Sequence, residues 1–224
     1  MTLFKGILFD FDGTLADTME GHYLAWMAAL NDRGVSVEPA EYYPLEGMGL
    51  HEIAKRLTRE LPWTEDEIDE LVQRKKKYYI KRQSVRFYPG VESLICQLRE
   101  QKVPIAIVTA GHLDQLCSFV PYKFLNQFSA LITGDLVLNG KPDPESYTQG
   151  AKALGLDAKE CIAVENSPLG VQSAKRAGAY CLAISSTVEQ AELEEADEVL
   201  DSFENLRNNR FFGQVLWGKN GNSK

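Results

Sequence analysis

Histidine and cysteine are both scarce in this chain, with three and four residues among 224. Cys96, Cys117, Cys161 and Cys181 lie about twenty or more residues apart, with no Cys-x-x-Cys pair and no histidine at zinc-ligand spacing. That argues against a zinc site and a disulfide framework, and the four read as small core residues of a protein in a reducing compartment. Basic residues are outnumbered, 24 Lys and Arg against 32 Asp and Glu, for a net charge of −8. A phosphate-backbone binder needs the opposite balance, so no nucleic-acid partner is expected. No uncharged apolar run approaches the length of a membrane span, and the opening "MTLFKGILFDFDG" is broken by Lys5 and Asp10, without a basic start or a cleavage site. No membrane partner and a cytoplasmic location are therefore expected. No internal repeat is found; only the tail "WGKNGNSK", polar and rich in Gly and Asn, reads as disordered.

What is present is enough apolar material, 44% of residues, for one large core or a core carrying an insertion. Short apolar runs read as buried strands: Gly6 to Phe9, "VPIAIVT" from Val103, "ALIT" from Ala130, "CIAVEN" from Cys161 and "YCLAIS" from Tyr180. Helical patterns separate them, "VESLICQLREQ" from Val91, "DPESYTQGAKALGL" from Asp143 and "SPLGVQSAKRAG" from Ser167. Alternating strand and helix predicts a parallel, layered α/β sheet. From Asp17 to about Arg86 the rhythm breaks into amphipathic helices with no strand, which predicts an all-helical cap over residues 17–86 inserted into a core of 1–16 and 87–224.

In open parallel sheets ligands sit beyond the carboxyl ends of the strands. There the chain places Asp10 and Asp12 in "FDFDGT", Thr109 in "IVTAG", Glu165 and Asn166 in "AVENS", and Lys141 in the loop "GKPDPE" just before a helix. Two neighbouring carboxylates at a buried strand end destabilise each other unless a positive group lies between them. Oxygen ligands with a lysine and a hydroxyl suit a hard dication and a phosphoryl group, so magnesium is the expected cofactor. Ser167 and Pro168 should open the helix that Gly178 ends.

With "DFDGT", "VTAG", "GKPDPE" and "VENSPLGV" in order, the chain resembles the haloacid dehalogenase-like superfamily over nearly its whole length. The resemblance implies a Rossmann-like three-layer core and a helical cap. It implies that Asp10 is a nucleophile forming an aspartyl-phosphate, and that Asp12 protonates the leaving alcohol and then deprotonates water. Gly13 and Thr14 would make the turn, Thr109 with the amides of Ala110 and Gly111 would hold the phosphoryl group, and Lys141 would bridge it to the nucleophile. Asp10, Asp12 through its carbonyl, Glu165 and Asn166 are the implied metal ligands. Relatives commonly carry Glu-Asp where this chain has Glu165 and Asn166, which implies weaker metal binding. An acid at position 12 disfavours dehalogenation, since expelling halide needs no proton.

"DTMEGHYLAW", with Thr18, His22 and Trp26, is similar to the hinge of beta-phosphoglucomutases, yet "LEGMGLHEI" offers only Leu50 and His51 where a mutase has an arginine for a second phosphate. The expected activity is hydrolysis of a small phosphorylated metabolite, a sugar or polyol phosphate, with His22 and His51 as candidate substrate contacts. A phosphomutase, or a non-catalytic binding module on the same fold, are the alternatives. "RKKKYYIKR" from Arg74 reads as a solvated helix face, and "GDLVLNGKP", "GMGLHE" and "HEIAK" each miss a residue their apparent motifs require. A monomer or weak dimer is expected.

Overall fold

The computed structural model describes residues 4–82 and 85–217. Six parallel strands form one sheet: β1 (Gly6–Phe9), β2 (Ile105–Val108), β3 (Ala130–Ile132), β4 (Cys161–Glu165), β5 (Tyr180–Ile184) and β6 (Glu198–Leu200). They lie in the order β3-β2-β1-β4-β5-β6, so the chain first builds outward from one side of β1 and then crosses to the other. The order reverses between β1 and β4, which are paired from Gly6 with Cys161 to Phe9 with Val164. At such a reversal the flanking loops diverge and leave a crevice at the carboxyl edge.

Apolar runs rather than alternation mark these strands because both sheet faces are covered. Ile7, Phe9, Ile107, Val164 and Leu182 face one layer, built on Leu94, Ile95, Leu98 and Phe212. Leu8, Ala106, Val108, Ala163 and Ala183 face the other, against Tyr147, Ala151, Val171 and Ala174. The helices of those layers are α5 (Val91–Glu100), α6 (Leu113–Phe119), α7 (Tyr122–Leu125), α8 (Glu145–Ala153), α9 (Pro168–Ala177) and α10 (Arg210–Trp217), which follow α1 to α4 in the chain. The α/β, three-layer reading holds. Cys161 and Cys181 are buried as expected, but Cys96 and Cys117 are exposed, because both fall on the outer faces of their helices.

Between β1 and α5 the described chain forms no strand, only α1 (Met19–Asn31), α2 (Pro39–Tyr42), α3 (Leu50–Leu57) and α4 (Glu65–Arg82) with a short 3-10 turn at Tyr43–Leu45. These helices own a separate core around Trp26, Leu30, Ile53, Leu71 and Val72. The chain leaves and rejoins the sheet through paired segments. Ala16 bridges Phe87, the Asp17 amide donates to the Arg86 carbonyl at 2.9 Å, and the Tyr88 amide donates to the Leu15 carbonyl at 3.1 Å. Among the described residues no helix is long and apolar enough to cross a membrane. Of the tail expected to be disordered, Trp217 ends α10 and the rest lies outside the described residues.

Candidate active site

Asp10 follows β1, Glu165 ends β4, and Lys141 enters from the loop before α8, so three charges meet at the strand reversal. The Lys141 Nζ lies 2.7 Å from Asp10 Oδ1 and 2.5 Å from Glu165 Oε1, and all three residues are buried. Burial works against the ammonium, but the Asp10 and Glu165 charges outweigh it and hold Lys141 above its ordinary value. Burial, helped by the charges of Glu165 and Asp12, pushes Asp10 above its ordinary value despite the lysine. Asp10 Oδ2 has no hydrogen-bond partner although the residue is only 5% exposed.

Glu165, expected among the metal ligands, takes protein donors on both oxygens. Its Oε1 accepts from Lys141 and from the Tyr147 hydroxyl at 2.9 Å. Its Oε2 accepts from the amides of Asn166 and Ser167 at 2.8 and 3.0 Å and from the Ser167 hydroxyl at 3.0 Å. So held, Glu165 anchors Lys141, and the Lys141 charge with those donors holds its pKa below the ordinary value against burial.

Asp12 turns to the helical insertion. Its Oδ1 accepts from the Thr18 hydroxyl at 2.7 Å and pairs with His22 Nε2 at 3.0 Å, while Oδ2 accepts from the Thr109 hydroxyl at 3.2 Å. Burial opposes ionisation, but His22 and Thr18 outweigh it and bring Asp12 to about 2. Behind it, His22 Nδ1 lies 2.8 Å from the Nζ of Lys75, and the imidazole stacks on Tyr79 at 4.1 Å between ring centres. Burial and the Lys75 charge hold His22 below its ordinary value, which fits a neutral ring donating through Nε2 and accepting at Nδ1.

Lys75 corrects the reading of "RKKKYYIKR" as a solvated face. It is fully buried, 4.8 Å above the Tyr79 ring, and burial lowers it to about 7. Lys76 also turns inward, 2.9 Å from His112 Nδ1, whereas Lys77 is exposed. The signal was present in the helical period, since Lys75 falls in register with Ile68, Leu71, Val72 and Tyr79 on the buried stripe of α4.

The remaining candidates divide. The Gly111 amide donates to the Thr109 hydroxyl at 2.9 Å, and Ala110 and Gly111 line the cavity beside Asp10 and Asp12. Gly13 has φ +83°, and a Cβ there would stand 2.2 Å from Asn166 Nδ2, so only glycine lets the turn approach. The Asn166 side chain accepts from Thr14 at 3.0 Å and donates to Thr187 at 2.9 Å. His51 is not brought to the aspartates. It pairs with Asp69 at 2.9 Å, half exposed, and faces a neighbouring cleft.

Core and insertion together line a cavity of about 50 Å³, with Asp10, Asp12, Thr109 and Asn166 on one side and His22, Trp26, Glu46 and Lys75 on the other. Among the described residues no three His, Cys, Asp or Glu side chains form a ready ligand cluster. The donors that remain, Asp10 with its bare oxygen, the Asp12 carbonyl and the Asn166 amide, are hard oxygens of the kind magnesium takes together with water. They fit that ion.

Residues 7–184 match the family described as Haloacid dehalogenase-like hydrolase. Validoxylamine A 7'-phosphate phosphatase of Streptomyces hygroscopicus subsp. limoneus is 30% identical over 92% of this chain and 97% of its own. Hexitol phosphatase A of Escherichia coli is 29% identical over 90% of this chain and 93% of its own. Among solved structures, a CbbY variant from Rhodobacter sphaeroides in complex with xylulose-(1,5)bisphosphate superposes with a TM-score of 0.80 at 26% identity, covering 91% of this chain and 96% of that one.

Proposed function

Because the chain belongs to the haloacid dehalogenase-like hydrolase family, we propose that it is a magnesium-dependent phosphatase acting on a small sugar or polyol phosphate through an aspartyl-phosphate on Asp10. The observation that supports this best is the bare Asp10 Oδ2, on the cavity between core and insertion, while Lys141 fixes the other oxygen. That oxygen attacks phosphorus and the bond from phosphorus to the ester oxygen breaks. Lys141 limits the charge that accumulates on Asp10, and Thr109 turns its hydroxyl toward the phosphoryl group. Magnesium, held by Asp10, the Asp12 carbonyl and Asn166, would neutralise the aspartates and the phosphoryl oxygens. Asp12 is in its base form here, which suits taking a proton from water in the second half-reaction. An anionic phosphoryl group beside it raises its pKa, which favours the protonated form that the departing alkoxide needs.

Mutase activity has the Thr18, His22 and Trp26 hinge in its favour. Against it, Leu50 carries no charge and His51 is paired with Asp69. Incubation with p-nitrophenyl phosphate should release phosphate only with magnesium and not in Asp10→Asn; no release with any divalent metal would instead favour a binding module. Incubation with beta-glucose 1-phosphate and a trace of bisphosphate should yield free phosphate. Glucose 6-phosphate without it would establish the mutase.

A further inference from the structure

The insertion carries one acid into the site that the proposed chemistry leaves unused. Glu46, in the loop before α3, is 2% exposed and lines the same cavity as Asp10, Asp12 and Asn166. Neither of its carboxylate oxygens makes a well-formed hydrogen bond, although the Thr187 hydroxyl is a polar neighbour. Its position is built into the loop. Gly47 has φ +87°, and a Cβ there would stand 2.9 Å from Ser167 Oγ, so glycine lets the insertion press this carboxylate against the end of β4.

A buried carboxylate with no partner is costly, and more so beside Asp10, Asp12 and Glu165, whose charges oppose it. Tyr42, Tyr43 and Tyr88 also neighbour it, none of the largest effects on it comes from a cation, and among the described residues it makes no ion pair. Opposite, Asn166 offers a neutral amide whose nitrogen is tied to the same Thr187. The arrangement has an acid on the insertion that lacks a positive partner, and an ion-ligand position on the core that lacks a charge.

We propose that Glu46 supplies the negative charge that Asn166 does not, by accepting hydrogen bonds from waters of the magnesium ion, so that the insertion takes part in holding the metal. This rests on the magnesium site proposed above. An outer partner of this kind orients the bound waters, and its loss weakens metal binding by roughly 10- to 100-fold.

Calorimetric titration of the metal-free chain with Mg2+, without substrate, tests it. Glu46→Gln should raise the Kd at least about tenfold. Glu46→Asp, charged but shorter, should fall between, and adding Asn166→Asp to Glu46→Gln should restore the affinity. Equal affinity in Glu46→Gln and the unmodified chain would overturn the assignment. So would a raised KM for p-nitrophenyl phosphate at unchanged metal affinity, which would place Glu46 against the substrate. If the unmodified chain bound no Mg2+, or bound it no more weakly after Asp10→Asn, the site reading itself would fail and this inference with it.

Discussion

Lys75 shows what a single residue does at this site. Moving a lysine into an apolar helix stripe costs free energy unless something nearby needs its charge, and Asp12, reached through His22, is the group that does. The folded chain holds Lys75 at about 7 against an ordinary 10.5, so between those values it binds fewer protons than the unfolded chain. Stability from this group therefore rises with pH across that window, and the burial cost is full below pH 7. Lys75→Met removes the slope. Its urea-unfolding free energy relative to the parent should fall by a few kcal/mol between pH 6 and pH 10, whatever the lost bond to His22 costs at both. The same variant takes a like charge from His22, whose ring should then titrate at higher pH by NMR; an unmoved His22 titration would mean that the two are not electrostatically linked.

Among elements, α9 joins fold and site most directly. Ser167 caps it by accepting from the Gly170 amide at 3.1 Å, Pro168 opens it and Gly178 closes it at φ +89°. The same hydroxyl donates to Glu165, so Ser167→Ala removes a cap and a bond to a buried carboxylate together. It should cost about 2–3 kcal/mol in urea unfolding, and a loss below about 0.5 kcal/mol would mean water replaces both contacts. The caps of α9, like the five strands β1 to β5, were legible because local chemistry decides them: a serine before a proline, or an apolar run buried on both faces. β6 was not, because Glu198–Leu200 is three half-buried residues paired only by tertiary contact with β5. The short α2, α6 and α7 were missed for the same reason. In the site, Asp10, Thr109, Glu165 and Lys141 were legible from strand ends and loop position. Glu46 and Lys75 were not, since nothing local says that one loop and one helix stripe of the insertion face the sheet edge. Lys75 could have been found by extending the Ile68, Leu71 and Val72 period one more turn.

At the scale of the whole molecule, substrate entry is expected to need the insertion to move. A cavity of about 50 Å³ holds roughly three or four waters, far less than a phosphorylated sugar. The contacts that close it join the two parts: His22 to Asp12, Lys76 to His112, and Gly47 against Ser167. The link between the parts is two short segments paired at Ala16 and Phe87, narrow enough to act as a hinge. Closure would exclude water once substrate is held, and a molecule fixed in this state is expected to admit substrate poorly. A Cβ at position 47 would lie 3.6 Å from the Leu169 Cβ, inside the spacing of about 3.5–4.5 Å that a disulfide spans. Gly47→Cys with Leu169→Cys, in a chain whose exposed Cys96 and Cys117 are replaced by serine, should therefore lock the insertion down on oxidation. The left-handed backbone at 47 strains the variant by about 1–3 kcal/mol and the new Cβ, 2.9 Å from Ser167 Oγ, must displace that hydroxyl, so the reduced form of the same variant is the control. Oxidation should lower turnover of a sugar phosphate more than tenfold, and a thiol reductant should restore it. If the oxidised protein, its cross-link verified by mass, turned over substrate as fast as the reduced one, substrate would be entering without the hinge opening.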